Sequence, residues 1–185
     1  DDPYSYLAAQ ILRLLTERYE VDLHCHLVCG PEGKNIAEPK MLSQLSTYDA
    51  YLIADTYGLD FPPSVRSPGP GEVLKTNRLL ANRSTDSFVA LAPQAGRALW
   101  SGSITEVDKI TESCGMARVE SAAAAVELGT NLQRKLKHYS GAMFYYGGEW
   151  FWGIDRLHHL ERRLTRFGAA RHPDLPLIAP RPKIV

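Results

Sequence analysis

The sequence has little cysteine, no net charge and no long apolar run. Its three cysteines, an odd number, do not make a disulfide framework, which favours a reducing, cytoplasmic location. The 21 basic and 21 acidic residues cancel, so no net field attracts nucleic acid or an anionic membrane. No apolar stretch approaches the roughly 20 residues of a membrane span, and residues 1–20 do not resemble a signal peptide. We therefore expect neither nucleic acid nor a membrane as a partner.

The remaining composition is that of one globular domain. The chain has 185 residues, of which 44% are hydrophobic and 23% are charged. That balance suffices for a sizeable core and excludes a disordered or fibrous protein. Function is therefore expected at a local site.

A helix is predicted at the start of the chain. Asp2 can accept an orphan backbone N–H, and Pro3 is tolerated where no N–H is needed. Apolar residues then recur at Leu7, Ile11 and Leu15, which indicates a single apolar stripe. This apolar stripe must pack against another layer of the fold, and we expect that layer to be a β-sheet.

The next segment alternates with a period of two, which predicts a β-strand over residues 21–28. The apolar face consists of Val21, Leu23, Cys25 and Leu27, and the polar face of Asp22, His24 and His26. Since the alternation sends Cys25 away from both histidines, we interpret the cluster as a strand rather than a metal site.

Apolar residues recur at helical spacing through the middle of the chain, up to a predicted hairpin. Helices are predicted near 40–57, 72–83, 85–100, 104–114 and 119–137. Gly147 and Gly148 then separate two aromatic-rich segments, 142–146 and 149–152, as in a tight hairpin. The hairpin aromatics are expected in the core, and those that alternate to the other face could line a cleft or a dimer surface.

A last helix and a tail complete the pattern. Asp155 or Gly153 is predicted to cap this helix. Its apolar stripe is predicted to comprise Leu157, Leu160, Leu164 and Phe167. The Pro-rich segment that follows is expected to be unstructured or draped on the surface. If one strand precedes Asp2, as the first helix requires, the order becomes β-α-β, helices, β-β-α, an α/β layout.

Three motifs carry a resemblance to a known family. Asp2-Pro-Tyr-Ser-Tyr-Leu7 resembles the start of the first helix in the DsbA-like thioredoxin superfamily, where redox members carry Cys-Pro-x-Cys and glutathione-dependent members Ser-Pro-Tyr. Phe151-Trp-Gly-Ile-Asp-Arg-Leu157 looks like the hairpin-to-helix junction of 2-hydroxychromene-2-carboxylate isomerases and kappa-class glutathione transferases. Asn77, Ala81 and Arg83 match that group's Asn-x-x-x-Ala-x-Arg pattern.

The resemblance implies an α/β chain with a thioredoxin fold and an all-helical insert between its βαβ and ββα halves. Residues 1–30 and 138–170 would form the thioredoxin-like domain, with its first strand upstream of residue 1. Residues 38–137 would be the helical insert, and 171–185 a Pro-rich C-terminal tail.

The resemblance also places an active site at the first helix, where the macrodipole favours a thiolate. The two aligned positions are Asp2 and Ser5, and without cysteine at either we predict no dithiol chemistry there. The thiol would then be that of bound glutathione, with Asp2 and Ser5 as the implied catalytic residues. The implied glutathione-binding residues are Asn77, Gly141, Ala142, Asp155 and Arg156.

Two positions depart from the family. The Asp2 carboxylate would repel a glutathione thiolate by about 1 to 4 kcal/mol and raise its pKa. Gly141-Ala-Met143 stands where relatives have Val-Pro-Thr, and we expect a trans bond before Ala142 and a reshaped loop. The favoured hypothesis is a glutathione-dependent isomerase or transferase that acts on a small-molecule substrate, with a homodimer as its expected assembly. The alternative is a catalytically silent thioredoxin-fold module that binds a peptide or an active partner domain.

Overall fold

Seven helices and one hairpin form the regular structure of the described residues, which in this computed structural model are 1–31, 38–63 and 66–181. In chain order they are α1 (Pro3–Arg18), α2 (Pro39–Tyr57), α3 (Pro70–Leu80), α4 (Thr85–Ser101), α5 (Ile104–Cys114), α6 (Val119–Lys135), β1 (Met143–Tyr146), β2 (Glu149–Trp152) and α7 (Leu157–Arg166). The predicted helices and the predicted hairpin are confirmed, with ends that move by a few residues. Within the described ranges, no helix combines the length and apolar character that crossing a membrane requires.

Helix α1 begins where its capping residues place it. The Asp2 carboxylate accepts the backbone N–H of Ser5 at 3.0 Å, and Pro3 occupies the first turn. The helix packs against α2 and α4. Its approach to α4 is close, because a Cβ at Gly96 would lie 2.3 Å from the Tyr6 ring. Glycine at this position lets α1 and α4 form one packed unit.

The hairpin follows the predicted turn. Gly147 and Gly148 have φ angles of +57° and +84°, as a primed two-residue turn requires. β1 pairs antiparallel with β2 in a register that runs from Tyr146 opposite Glu149 to Met143 opposite Trp152. Phe151 faces the core, whereas Trp152 is 54% exposed. The alternation of the hairpin aromatics is therefore confirmed.

The strand predicted over 21–28 is wrong as a hydrogen-bonded element. Exposure alternates along these residues as expected, but they carry no regular secondary structure in the part of the chain that is described. The backbone bonds of the wider segment instead go to side chains: Thr85 donates to the Leu23 carbonyl at 3.0 Å and Cys29 N–H donates to Thr130 at 2.9 Å. The physical reason is that a strand is defined by a ladder, and no described residue offers a partner strand.

The last helix differs from expectation in its cap and in one residue of its stripe. The N-cap of α7 is Arg156 and no side chain caps it, so neither Asp155 nor Gly153 has that role. Phe167 lies outside the buried stripe and is exposed. Residues 171–181 are mostly exposed, with Ala179 buried at 1% exposure, which agrees with the expectation that the tail is draped on the surface. Residues 182–185 of the predicted tail, residues 64–65 of the predicted insert and residues 32–37 before it lie outside the described ranges.

Candidate functional site

A hydrogen-bond network joins the two ends of the predicted site at the start of α1. The Ser5 hydroxyl donates to Asp2 Oδ2 at 2.5 Å and accepts the backbone N–H of Ala142 at 3.0 Å. The Ser5 N–H also donates to Asp2 Oδ2. Ser5 thus joins Asp2 and Ala142 in one hydrogen-bond network, although Ala142 lies far away in sequence.

The loop before β1 is shaped to meet this helix end. A Cβ at Gly141 would lie 2.6 Å from Asp2 Oδ2 and 2.9 Å from Ser5 Oγ, so only glycine allows the approach. Ala142 adopts a left-handed φ of +51°, and the bond before it is trans, as predicted. Gln133 on α6 donates to the Ser140 carbonyl at 2.5 Å and holds the loop from the other side.

The Asp2 carboxyl is desolvated where it stands. It is half-buried in the wall of a cavity, and desolvation raises its pKa above the ordinary value for aspartate, while the hydrogen bonds from Ser5 act in the opposite direction. The direction of this shift favours the neutral form of Asp2, which repels a bound anion least.

The cavity beside α1 has a volume of about 760 Å³ and is called the α1 cavity below. Asp2, Ser5, Asn77, Gly141 and Ala142 line it together. Within the described residues, the side-chain amide of Asn77 makes no hydrogen bond, so it can serve a ligand. Five of the seven predicted site residues therefore share one cavity.

The other two predicted residues, Asp155 and Arg156, line a separate cleft of about 1050 Å³, which we call the hairpin cleft. They form an exposed ion pair of 3.5 Å, a type that contributes little to stability. Tyr4 also faces this cleft and donates to Asp49 at 2.7 Å. Sequence analysis missed Tyr4 and Asp49. The available signal was that Tyr4, one residue before Ser5, must point about 100° away around the helix.

The histidine and cysteine cluster has no metal-site geometry. His24 and His26 are exposed while Cys25 is half-buried, which agrees with the predicted alternation. Burial raises the pKa of the Cys25 thiol to about 11, so this thiol is not activated. Within the described ranges, no group of three or more His, Cys, Asp or Glu residues is arranged to hold a metal ion.

Of three comparisons with known proteins, the one with solved structures gives a match. No family model matches the chain, and no curated protein matches it. A solved structure of selenomethionine-labelled 2-hydroxychromene-2-carboxylate isomerase (HCCA isomerase) superposes with a TM-score of 0.62 at 20% identity. The superposition covers 90% of this chain and 91% of that one. The chain has an HCCA isomerase-like fold. This DsbA-like, thioredoxin-type fold is the one that the sequence motifs implied.

The HCCA isomerase-like fold holds three tyrosines that should make it sensitive to alkali. Burial and the acceptors Asp49, Asp60 and Glu161 raise the pKa values of Tyr4, Tyr6 and Tyr19, that of Tyr19 to about 12. In the folded state the pKa values of these tyrosines lie above the ordinary value of about 10. The stability that their protonated hydroxyl groups contribute is therefore complete below pH 10 and is lost towards pH 12.

We expect the thermal midpoint to be level from neutral pH to about pH 10 and to fall steeply above it. Circular dichroism melts and tyrosinate absorbance across this range check the expectation. The thermal midpoint of the Tyr19→Phe variant should fall less steeply above pH 10 than that of the wild type. A midpoint that stays level to pH 12 would contradict it.

Proposed function

We propose that the protein binds glutathione and acts as an isomerase or transferase on a small molecule. In this proposal α2 to α6 form a helical insert in the thioredoxin fold. The observation that carries the proposal is the Ser5 hydroxyl, which stands at the start of α1 in contact with both Asp2 and the Ala142 N–H. A helix N-terminus with oriented hydroxyl and amide donors favours an anion such as a thiolate.

The residues around this hydroxyl suit glutathione in their chemistry. Asn77 offers an amide within the α1 cavity, and Asp155 offers a carboxylate for an amino group in the hairpin cleft. The two cavities lie on either side of the α1 terminus, since Ser5 faces one and Tyr4 the other. An extended tripeptide spans about 10 Å, which is comparable with the width of one helix. Glutathione that lies across this terminus can therefore meet both sets of residues.

In this proposal Ser5 and Asp2 have separate roles beside the bound glutathione. When bound, glutathione supplies a thiolate nucleophile that can add reversibly to an unsaturated substrate. Ser5 orients a hydroxyl at the helix terminus, and Asp2 holds that hydroxyl in place. Asp2 accepts from Ser5 through its carboxylate, and this negative group is the part of the site that opposes a bound thiolate.

Calorimetric titration with glutathione tests the proposal. We expect saturable binding by the wild type, and binding weakened roughly ten- to hundredfold in Asp155→Ala and in Asn77→Ala, because each removes a hydrogen bond to a charged group. Asp2→Ser should tighten binding about tenfold, because it removes a carboxylate close to the thiol. Glu112→Ala is the matched control, since Glu112 is an exposed acid outside both cavities.

The outcomes separate the proposal from its rival. Binding that is lost in Asp155→Ala and Asn77→Ala but kept in Glu112→Ala supports the glutathione site and leads to an isomerase assay. Absence of binding in every variant, including Asp2→Ser, rejects the enzyme and leaves the silent module.

One observation favours that second candidate. The Ser5 hydroxyl already donates its only proton to Asp2 and accepts from Ala142, so a ligand must displace one of these bonds to use it. A module that only binds a peptide or a partner domain has no need of a free hydroxyl. The homodimer and the cytoplasmic location of this protein stay predictions under either proposal.

A further inference from the structure

A small pocket lies where the C-terminal ends of α1 and α7 meet the segment that follows α7, and we call it the arginine pocket. It has a volume of about 300 Å³. Arg18, Arg162 and Arg166 line it together with His172. Among the described residues, no aspartate or glutamate contributes to the lining. The pocket therefore concentrates positive charge in a chain whose net charge is zero.

The arginines of this pocket have no anionic partner. The side chains of Arg162 and Arg166 make no hydrogen bond or ion pair with any described residue. Arg18 donates to the Pro176 carbonyl at 2.8 Å, a neutral acceptor that leaves its charge unpaired. Arg163 lies on the same helix and, by contrast, pairs with Glu149. Like charges in one concavity repel each other, so a bound anion would stabilise the pocket.

Two acids lie close to the pocket in sequence without lining it. The Glu161 carboxylate is buried and accepts hydrogen bonds from the Tyr19 hydroxyl and from the backbone N–H groups of Ile178 and Ala179. Asp174 is exposed and points to no lining position. Neither acid takes the place of a ligand between the guanidinium groups.

Helix dipoles account for only part of the cluster. A cation in the last turn of a helix is stabilised by the negative end of the dipole, and Arg18 of α1 and Arg166 of α7 stand in such turns. Arg162 lies before the last turn of α7. Its unpaired charge in the pocket therefore has another cause, and an anionic ligand supplies one.

The pocket has a fixed floor and an apolar wall. Tyr19 pairs with Ala170 in an isolated β-bridge, and the Glu20 N–H donates to the Ala169 carbonyl at 2.8 Å. Leu175 and Leu177 add apolar surface at one side. Because these contacts already hold the two chain segments together, little conformational freedom is lost when a ligand binds.

We propose that the arginine pocket binds a small molecule through a diphosphate group. Guanidinium groups bind phosphate oxygens in pairs, and a phosphate carries more negative charge than the single charge of a carboxylate. Arg162 and Arg166, one turn apart on α7, hold the diphosphate from one side and Arg18 from the other. The organic portion of the ligand contacts Leu175 and Leu177. This site is separate from the proposed glutathione site and does not depend on it.

Calorimetric titration with inorganic pyrophosphate at constant ionic strength tests the pocket. We expect one saturable site, and affinity about tenfold or more weaker in Arg162→Gln and in Arg166→Gln, because each loses hydrogen bonds between charged groups. Both arginines also line the hairpin cleft, so a matched pair of histidines locates the ligand. His172→Ala changes only the arginine pocket and should weaken binding, whereas His159→Ala changes only the hairpin cleft and should not. Arg13→Gln is the charge control, since Arg13 is exposed and lines neither.

Butyl diphosphate shows whether the ligand has an organic portion. We expect it to bind at least about fivefold more tightly than pyrophosphate, because its alkyl chain covers the apolar wall. Equal or weaker binding overturns the organic portion and leaves free pyrophosphate as the ligand.

Thermal melts separate a loss of binding from a loss of folding. Pyrophosphate at a hundredfold excess over its Kd should raise the midpoint of the wild type by roughly 5 to 10 °C, and sodium chloride of equal ionic strength should not. Without ligand, Arg162→Gln should melt at the wild-type temperature or above it, because it relieves repulsion. Three results overturn the pocket: no saturable binding at millimolar pyrophosphate, equal weakening in Arg13→Gln, or weakening in His159→Ala but not in His172→Ala.

Discussion

Replacing Glu161 with alanine should lower the free energy of unfolding by about 3 to 5 kcal/mol. The Glu161 side chain is 0% exposed, and no cation neutralises it in the described structure. Its carboxylate accepts the Tyr19 hydroxyl at 3.0 Å and the backbone N–H groups of Ile178 and Ala179 at 2.7 and 3.0 Å. The alanine variant leaves all three donors without this acceptor, two of them on the buried residues Tyr19 and Ala179, and opens a cavity. Urea denaturation measures the loss.

Two companion variants show whether the carboxylate is the cause. Tyr19→Phe removes one donor and should cost only about 1 kcal/mol. Glu161→Gln should fall between the two, because its NH₂ group faces donors where the second carboxylate oxygen stood. A loss in Glu161→Ala no larger than in Tyr19→Phe would show that the buried acid does not hold the tail.

The Gly129→Ala variant should be destabilised by roughly 2 to 3 kcal/mol, at the upper end of the effect of overpacking. A Cβ at Gly129 would lie 2.1 Å from the Leu27 carbonyl oxygen and 3.2 Å from the Cβ of His26. The obstacle is main chain rather than the end of a flexible side chain, so α6 and the 20–31 segment must move apart. The same denaturation experiment measures the cost.

Gly71→Ala is the matched control, since a Cβ at this helical glycine meets nothing within 4 Å. Alanine also favours the helical state over glycine by about 1 kcal/mol, so this variant should be as stable as the wild type or more stable. If both glycine variants behave alike, the close contact between α6 and Leu27 does not limit stability.

The parts of the fold that could be predicted from the sequence are those with local causes. Asp2 and Pro3 define the start of α1 through groups within one helical turn. Gly147 and Gly148 define the hairpin turn through their own φ angles. The prediction for residues 21–28 had the correct alternation and the wrong hydrogen bonding, because pairing depends on a partner elsewhere.

The candidate site was predictable in its members but not in its arrangement. The motif resemblance named Asp2, Ser5 and Ala142, which share one hydrogen-bond network through the Ser5 hydroxyl. It could not reveal that Asp155 lies in the hairpin cleft, because that depends on how α7 packs beside the hairpin. Nor could it reveal Tyr4 and its bond to Asp49, since local periodicity contains no information on contacts between distant segments.

The close approach at Gly141 constrains how this site can vary in evolution. Asp2 Oδ2 and Ser5 Oγ occupy the space that any side chain at position 141 would need. An acidic cap on α1 is therefore compatible only with glycine there, whereas a bulkier loop residue requires a smaller cap. Positions 2, 5 and 141 should therefore covary among homologues, because a side chain at position 141 needs smaller groups at both positions of the α1 terminus.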